Sequence, residues 1–502
     1  YGPAPWGFHL TNILLHMINV ALLMTLAWQC ARDRIRGAGD ALRALSPMRV
    51  MLITGVLFAV HPMMTEAVGY IGGRSELIVA AFFLTAILAA RRWFSGLSAR
   101  WAAIAVLSWF LALFSKEIAV MLPLVLLAYD RWVWPDTDDR RRYRFWRFHA
   151  PLLALMAVAV VGRLVVFVFV ESRGLVDVRW QFALIELDVI RRYLGLLLWP
   201  TGQAIFHLTP PIESIVDARV LIATAVIGAM VGVAWWVRHR AGLITLGVIW
   251  FFLLLVPSSA LVLLNRGEPM AEHRVYLASA GLFLAAGMIV ARVWRRLGRS
   301  LPITGLAARG AIVLMVALLA GSTVLRNALW DDPVLVWAEA AGKAEGHWLP
   351  NVPLGQSLHA AGRHDEAIGA FVTALRSLKN QPDALGGLGT CLAETGRLDE
   401  AAGVFQELRA VAPRSTVASN GLATVALLAG RADEARTRYG ESLTIDPVNI
   451  QARRGLAALE ETVGNNPGEA LRLCREIETI APGTPGIDEC IKRNRARIGG
   501  GE

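Results

Sequence analysis

Three short stretches of this 502-residue chain combine acidic and basic side chains between apolar segments. They are AVHPMMTEAVGYIGGRSELI (59–78), FSKEIAV (114–120) and LLNRGEPMAEHRVYLAS (263–279). Their candidate site residues are His61, Glu66, Arg74, Glu76, Lys116, Glu117, Arg266 and Arg274. Arginine and lysine hold phosphate groups, and a carboxylate can activate a hydroxyl group. Brought together, these residues would suit group transfer from an anionic donor to a hydroxyl acceptor.

The first apolar segment, PWGFHLTNILLHMINVALL (5–23), carries a fourth set of polar side chains: His9, Asn12, His16 and Asn19. At about 100° per residue, these positions fall within a sector of roughly 80° on a helix. Unpaired polar groups in hydrocarbon cost several kcal/mol each. The pattern therefore predicts a helix that turns this stripe toward a protein-lined or wet interior.

The composition indicates a polytopic membrane protein, because the mean hydropathy is +0.48 and only 18% of the residues are charged. The net charge of +10 is unevenly distributed. Residues 1–331 contain 32 Lys and Arg against 18 Asp and Glu, whereas residues 332–502 contain 18 against 22. The basic excess thus lies in the apolar part, which favours anionic membrane lipids as partners and argues against nucleic acid.

Ten apolar segments predict membrane spans at 7–30, 48–61, 75–90, 100–114, 118–134, 148–170, 216–237, 242–257, 275–293 and 308–326. Every second connection is rich in arginine, which predicts that this side is cytoplasmic. The three stretches with acids and bases then share the exoplasmic face. The alternation requires that 171–215 stays outside as an amphipathic or re-entrant piece, since Arg191 and Arg192 would be unfavourable in mid-bilayer.

The C-terminal part repeats every 34 residues. GRHDEA (362–367), GRLDEA (396–401) and GRADEA (430–435) recur in phase, with a degenerate GNNPGEA at 464–470. This period is that of tetratricopeptide repeats. We therefore predict an all-α chain with a membrane domain at 1–331 and about four repeats at 332–502, whose concave surface would bind a protein.

The four cysteines show neither a CxxC motif nor a metal-ligand spacing, so no metal or other cofactor is predicted. Cys474 and Cys490 could form a disulfide if the repeats lie outside the cytoplasm, and this stays open. The chain does not begin with Met, and we expect it to begin inside a longer protein. Its 4 lysines against 46 arginines suggest a GC-rich bacterium, and hence an inner-membrane protein with periplasmic repeats.

Each candidate residue also has a purely structural interpretation. His61 with Pro62 can simply end a helix, and Lys116 can extend toward lipid headgroups. Arg266 and Arg274 can bind lipid, while His9 and His16 can hydrogen-bond to neighbouring helices. Taken singly, these interpretations are the more common ones. Taken together on one face, the residues favour a site.

Several motifs resemble one known family. GFHLTNILLHMINVALL, FAVHPMMTEAVGYIGGRSELIVAAFFL, LALFSKEIAVMLPLVLLAYD, MAEHRVYLASAGLFLAAG and LRNALWDDPVLVWAEA, followed by repeats, are similar to the transmembrane and tetratricopeptide-repeat (TMTC-like) proteins. These are GT-C glycosyltransferases related to protein O-mannosyltransferases. The resemblance implies an eleven-helix GT-C bundle with exoplasmic repeats. It also implies transfer of a sugar, typically mannose, from a polyprenyl-phosphate donor to Ser or Thr of a protein.

The resemblance also implies roles for residues. Glu66, Arg74 and Glu76 match the family loop HP..TEAV…GR.DLL, with Glu76 in place of the usual Asp, and Lys116 and Glu117 match SKE. The family's principal catalytic carboxylate lies in the first exoplasmic loop and is expected before Tyr1, together with the first helix.

On this basis, Glu66 and His61 are the catalytic candidates that orient the acceptor or sugar. The residues expected to bind substrate are Arg74, Glu76, Lys116, Glu117, Arg266, Arg274, His9 and His16. An extra His273 shifts the family register next to Arg274. Two alternatives remain: an inactive membrane-anchored repeat scaffold, and a related GT-C enzyme that ligates whole glycans.

Overall fold

The computed structural model describes residues 6–36, 46–135, 138–171, 180–263, 269–300 and 302–499. These residues form helices and contain no β-strand, which confirms the all-α prediction. The chain divides into two compact units, Tyr1–Asp331 and Asp332–Glu502.

The first unit contains thirteen described α-helices, some of which are joined by short 3₁₀ or π segments. They are α1 Trp6–Arg36, α2 Pro47–Val60, α3 Thr65–Gly69, α4 Arg74–Gly96, α5 Ala99–Ser115, α6 Leu122–Trp132, α7 Asp138–Arg144, α8 Ala150–Val166, α9 Gln181–Leu198, α10 Ala218–Val237, α11 Gly242–Leu263, α12 Tyr276–Ser300 and α13 Pro302–Leu329.

Seven stretches of the described chain are long and apolar enough to cross a membrane. They are Trp6–Arg34, Ile71–Gly96, Asp139–Glu171, Ala218–Val237, Gly242–Ala260, Glu272–Arg296 and Gly310–Leu329. A bent pair, Pro47–Val60 with Pro62–Gly69, raises the number to eight. The other two predicted spans form the shorter helices α5 and α6, with 17 and 11 residues, and a perpendicular span needs about 20. The chain is an integral membrane protein, although ten full-length spans are not found in its described part.

Helix α2 ends because His61 precedes Pro62. A residue before proline is driven out of the helical region, and His61 has φ −76° and ψ 128°. The following segment, Pro62–Gly69, is bent from α2 by 59°. The expectation that His61–Pro62 interrupts a helix is confirmed, and the bend carries Glu66 into the bundle, where this side chain is buried.

Small residues let the membrane helices approach closely. A Cβ atom at Gly281 of α12 would lie 2.6 Å from the carbonyl oxygen of Gly247 in α11. A Cβ atom at Gly287 would contact Thr54 of α2. Close backbone approach of this kind is how helices pack in lipid, where no hydrophobic effect drives them together.

Buried ion pairs fasten the end of the bundle that contains the C-terminus of α1. Arg91 donates two hydrogen bonds of 2.6 Å to the carboxylate of Asp33, which also accepts one of 2.5 Å from the Tyr129 hydroxyl. Next to them, Asp130 accepts from Arg144 at 2.7 and 3.0 Å. Arg91 and Arg144, which belong to the arginine-rich connections predicted to be cytoplasmic, therefore form ion pairs inside the protein.

The described part of the second unit, up to residue 499, consists of ten helices, each of which packs against the next one in sequence. They are α14 Pro333–Lys343, α15 Trp348–Ala360, α16 His364–Ser377, α17 Pro382–Glu394, α18 Leu398–Val411, α19 Thr416–Leu428, α20 Ala432–Ile445, α21 Ile450–Thr462, α22 Pro467–Ile480 and α23 Ile487–Gly499. The disulfide left open by the sequence is present, and it joins Cys474 of α22 to Cys490 of α23.

The recurring GRxDEA motif forms the turn inside each repeat. Its glycine has a positive φ, for example 79° at Gly396, which closes the preceding helix at little steric cost. The next residue, Arg397, donates to Glu400 three positions later at 2.7 and 2.8 Å. The acidic residues Asp399 and Glu400 lie in the first turn of α18, where they complement the helix dipole.

Aromatic side chains of the second helices pack against glycines of the first helices. A Cβ atom at Gly389 would lie 2.8 Å from the ring of Phe405, and one at Gly421 of the following repeat would overlap the same ring. Phe405 itself is only 2% exposed. Each such ring therefore fills space that two consecutive repeats leave open.

We predict that Gly421→Ala destabilises the repeats by about 1–3 kcal/mol, because the added methyl group would collide with a ring that has no room to move. Gly403→Ala is the matched control, since Gly403 lies in mid-helix and a methyl group added there would meet nothing within 4 Å. This control should stabilise its helix by roughly 0.5–1 kcal/mol. Pulse proteolysis of the full chain in urea measures both free energies, and equal stability of the two variants would contradict the packing described.

Candidate functional site

The polar stripe of α1 faces the interior of the bundle, as predicted. Asn12 and Asn19 are completely buried, and His9 and His16 are partly buried. The apolar residues among them, which are 44 to 61% exposed, are Leu10, Ile13, Leu14, Met17 and Ile18. The helix therefore presents its apolar faces outward and reserves the stripe for contacts within the protein.

The hydroxyl group of Tyr276 connects two residues of this stripe. It lies 2.7 Å from Nδ1 of His16 and accepts a hydrogen bond of 3.2 Å from Nδ2 of Asn19. Asn19 also donates to the carbonyl of Leu77 at 2.9 Å, and Nε2 of His16 lies 3.4 Å from the carbonyl of Ala59. His16 thus joins α1 to α2 and α12. This is the structural role that the sequence suggested as the alternative to substrate binding.

Arg74, at the first position of α4, is held by the beginning of α1. Its Nε donates to Oδ1 of Asn12 at 3.3 Å, and its guanidinium carbon lies 5.1 Å from the centre of the Phe8 ring. Asn12 is fixed in turn by bonds to the carbonyls of Val68 and Tyr70 at 3.1 and 3.4 Å. Nη2 of Arg74 is buried and has no hydrogen-bond acceptor among the described residues. This donor is oriented by its neighbours and available to an anion.

Glu76 and Lys116 form a buried ion pair that joins α4 to the turn after α5. Glu76 is completely buried, and its second oxygen, Oε2, has no hydrogen-bond donor within the described part of the chain. Glu117 interacts electrostatically with Glu76 as well. The two stretches that carry Glu76 and Lys116, far apart in sequence, therefore meet.

Glu66 is bound by His273, the residue that is extra relative to the family motif. Its Oε1 lies 2.6 Å from Nδ1 of His273, and its Oε2 accepts from the backbone N–H of His273 at 3.1 Å. His273 also interacts electrostatically with Glu76. His273 thus links the first and third stretches, a contact that the register shift in the motif did not suggest.

Arg274 lies close enough to α9, the helix that was predicted to be amphipathic or re-entrant, to interact with its charged and polar groups. It interacts electrostatically with Glu186 and Tyr193 of that helix. Tyr193 also interacts electrostatically with Glu66. Burial raises the pKa of Glu186, which accepts a hydrogen bond of 2.6 Å from the hydroxyl of Ser259. Glu186 and Tyr193 were not predicted from the sequence, although two polar residues on the buried face of an amphipathic helix were a usable signal.

A further buried carboxylate, Glu272, organises the loop after α9. It accepts hydrogen bonds of 2.8 Å from the side chain of Gln203 and from the backbone of Ala204, and its Oε1 lies 2.8 Å from Nε2 of His207. Glu272 belongs to the third predicted stretch but was not selected as a site residue. Its partners lie in an irregular segment far earlier in the chain, which no periodicity could have revealed.

His61 is bound to backbone on both sides of its ring. Nδ1 accepts from the N–H of Met63 at 3.2 Å, and Nε2 lies 3.1 Å from the carbonyl of Leu197 at the end of α9. These bonds give His61 a positioning role, and its proposed catalytic role stays a prediction. Arg266 lies outside the described residues.

The structure thus brings together, at one end of the bundle, cations and carboxylates from all three predicted stretches. The residues concerned are Glu66, Arg74, Glu76, Lys116, Glu117 and Arg274. The described carboxylates Glu66, Glu76 and Glu272 each bind a cation, imidazole or amide. Their arrangement suits the orientation of a substrate and the binding of its charged group.

A group of side chains with metal-binding geometry occurs elsewhere among the described residues. It consists of His359, His364 and Cys391 in the repeats.

Comparison with known proteins identifies relatives for part of the chain. A tetratricopeptide-repeat family model matches residues 352–416 and 400–450. The chain is similar to protein O-mannosyl-transferase TMTC4 of Mus musculus, with 38% identity over 84 residues, or 17% of this chain and 11% of that protein. It is also similar to protein O-mannosyl-transferase Tmtc2 of Drosophila melanogaster, with 34% identity over 135 residues, or 26% and 13% of the two chains.

Among solved structures, a tetratricopeptide-repeat protein of Thermus thermophilus, TTC0263, shares 18% identity with a TM-score of 0.30, over 36% of this chain and 95% of that one. The alignments span about a tenth of the length of the two curated relatives. The resemblance to the TMTC-like family that was inferred from the motifs is confirmed by the two curated relatives together with the repeat model.

We predict that Lys116→Met destabilises the membrane unit by about 3–5 kcal/mol, because it leaves the carboxylate of Glu76 buried without its cation. Adding Glu76→Gln should restore most of this loss, since a neutral amide is far cheaper to bury than a charge. SDS titration of the protein in mixed micelles measures the free energy of unfolding.

The matched control is Lys343→Met, which breaks a more exposed ion pair with Glu339 and should change stability by less than about 1 kcal/mol. If the double variant were as unstable as Lys116→Met alone, the role given to this ion pair would be wrong.

Proposed function

We propose that this chain is the membrane and repeat part of a glycosyltransferase that moves a sugar, typically mannose, from a polyprenyl-phosphate donor to Ser or Thr of a protein. The observation that carries the proposal is the buried Nη2 of Arg74, which has no hydrogen-bond acceptor among the described residues. Arg74 begins the helix whose Glu76 binds Lys116, and Arg274 follows His273, which binds Glu66. The end of the bundle that contains Arg74, Lys116 and Arg274 is called the mouth below. The names of the relatives, which are protein O-mannosyl-transferases, support this class of reaction.

Arg74 is the proposed ligand of the donor phosphate. In the reaction the acceptor oxygen bonds to the anomeric carbon, the bond from that carbon to the phosphate oxygen breaks, and the polyprenyl monophosphate leaves with an added negative charge. A guanidinium held in place by Asn12 and Phe8 stabilises that charge without reorganising. Lys116 and Arg274 add positive potential at the same mouth.

The carboxylates take two different roles in this proposal. Oε2 of Glu76 lacks a donor within the described chain and would accept a hydroxyl group of the sugar. Glu66, fixed by His273, would orient the acceptor, together with Glu117 at the rim. We assign removal of the acceptor proton to the principal catalytic carboxylate that the family resemblance implies for the first exoplasmic loop.

The repeats would bind the protein acceptor on their concave side. A cavity of about 410 Å³ in the repeats is lined mainly by first helices of consecutive repeats, including Asn420, Thr424 and Arg454. Oδ1 of Asn420 is buried without a donor in the described residues, while its Nδ2 bonds to Asn449 at 3.1 Å. An amide held in this way can accept a hydrogen bond from the backbone of an extended peptide.

We further propose that the mouth and the repeats lie on the outer side of the membrane, which in a bacterium is the periplasm. The disulfide between Cys474 and Cys490 supports an oxidising compartment for the repeats. The arginine-rich connections at the opposite end of the bundle support a cytoplasmic position for that end.

Arg74→Ala should reduce sugar transfer on the order of 100-fold or more, because it removes the donor that stabilises the leaving phosphate. Arg74→Lys should recover part of the activity, since it restores the charge but not the fork of the guanidinium. The assay follows transfer from polyprenyl-phosphate mannose to a Ser/Thr peptide in proteoliposomes that contain the full-length protein.

Arg163→Ala is the matched control, because Arg163 pairs with Glu171 in an exposed position outside the mouth. Full transfer by Arg74→Ala would remove Arg74 from the site. Absence of transfer by the wild-type protein from any lipid-linked sugar would support the scaffold alternative, and transfer of a whole glycan would support a ligase.

Asn420→Ala should raise the apparent KM for a protein acceptor about tenfold, which corresponds to the loss of one buried hydrogen bond. Turnover at saturating acceptor should be unchanged, because Asn420 does not touch the reacting groups. Thr437→Ala, on an exposed face of α20, serves as the control. An unchanged KM in Asn420→Ala would exclude this part of the groove as the acceptor site.

A further inference from the structure

Four side chains with metal-binding groups meet near the start of the repeats. His359 lies at the end of α15, His364 at the start of α16, and Cys391 and Glu394 in α17. Ligand atoms of His359, His364 and Cys391 all lie within 4.8 Å of one another. Oε2 of Glu394 lies 2.7 Å from Nε2 of His359 and 3.4 Å from Nδ1 of His364.

The repeat fold explains why these residues converge. His359 and His364 flank the tight turn at Gly362, whose φ is 73°, so the two imidazoles emerge on the same side of the helical hairpin. Their ring centres are 5.5 Å apart. Cys391 and Glu394 are three positions apart and therefore share one face of α17, the helix that packs next to this hairpin.

We infer that His359, His364, Cys391 and Glu394 form a binding site for one zinc ion. Two imidazoles, a thiolate and a carboxylate are ligands that zinc accepts in tetrahedral sites. With metal–ligand bonds of about 2.0 to 2.3 Å, the ligand atoms of such a site are about 3.3 to 3.8 Å apart. The separations among His359, His364 and Cys391 exceed that range by about 1 Å at most, whereas Oε2 of Glu394 and Nε2 of His359 are closer together than it, at 2.7 Å. The two partly exposed imidazoles can turn to adjust both distances.

Two separate observations point to a missing ligand. Nδ1 of His364 is a buried ring nitrogen that makes no hydrogen bond among the described residues, since its 3.4 Å contact with Oε2 of Glu394 lacks hydrogen-bond geometry. Cys391 is a fully buried thiol that remains free, although the same unit forms a disulfide from its other two cysteines. A metal ion would satisfy the ring nitrogen and would protect the thiol in an oxidising compartment.

The spacing of the four ligands explains why no metal site was expected from the sequence. They read H-x4-H, then 26 residues, then C-x2-E, which matches no common zinc motif. The site would tie α15, α16 and α17 together and so stabilise the first repeats. Glu394 also lines the cavity proposed for the acceptor. Zinc binding makes no use of the residues at the membrane mouth, however, and it can be measured without sugar transfer.

The test is metal binding by the full chain, purified without a histidine tag and stripped of metal with a chelator. Zinc is titrated against a chromophoric chelator, and cobalt(II) is added separately to report thiolate ligation by its charge-transfer absorption. We expect one zinc per chain and a cobalt spectrum with a thiolate band. Cys391→Ser should abolish that band and weaken zinc binding by roughly 100-fold or more.

Two further variants complete the design. Cys30→Ser is the matched control, since Cys30 is the other free and buried cysteine, and it should leave binding unchanged. His364→Ala removes a partly exposed ligand with little risk to folding, and zinc should raise the melting temperature of the wild type but not of this variant. Binding of less than one zinc, a cobalt spectrum without a thiolate band, or unchanged affinity in Cys391→Ser and His364→Ala would each overturn the proposal.

Discussion

The membrane unit depends on one constraint: a polar side chain between apolar helices must find its partner within the protein. The hydroxyl of Tyr276 illustrates this, because it joins His16 and Asn19 and so connects α1 with α12. The same rule applies at the opposite end of the bundle, where Asp33 accepts hydrogen bonds from Arg91 and Tyr129. Since unpaired groups would cost several kcal/mol each, these bonds fix how the helices are rotated. That rotation in turn determines which side chains reach the mouth.

The sequence predicted the site to the extent that helical periodicity and charge could define it. The stripe on α1 and the three charged stretches were found because their spacing and polarity are visible locally. Most of the residues that these side chains contact were not predicted. Glu186, Tyr193 and Glu272 act through contacts across long separations in sequence, and local patterns carry no information on such contacts. The extra His273 was noticed as a departure from a motif, whereas its bond to Glu66 could only be seen in three dimensions.

The sequence predicted the class of the fold correctly, but it predicted the ends of the individual helices less well. Hydropathy located all ten apolar segments, but α5 and α6 proved shorter than a membrane span because a 3₁₀ turn at Glu117–Met121 separates them. The 34-residue period defined the repeats, in which Gly355 and Gly389 each pack against an aromatic ring. The glycines on the other side of each ring, such as Gly421, were missed because they belong to the next repeat. Helix packing across a repeat boundary is not part of the repeating pattern itself.

The rings held between glycines have a consequence for how the solenoid folds. Phe405 is covered by Gly389 of its own repeat and by Gly421 of the following one, so the smallest closed unit is three helices rather than two. The unit that folds cooperatively therefore contains both helices of one 34-residue repeat and the first helix of the next repeat. A chain that is shortened at the end of a 34-residue repeat would expose the aromatic ring of its last repeat. A chain that keeps the first helix of the following repeat would leave this ring covered. Evolutionary gain or loss of repeats should accordingly require a terminal helix that covers the last ring.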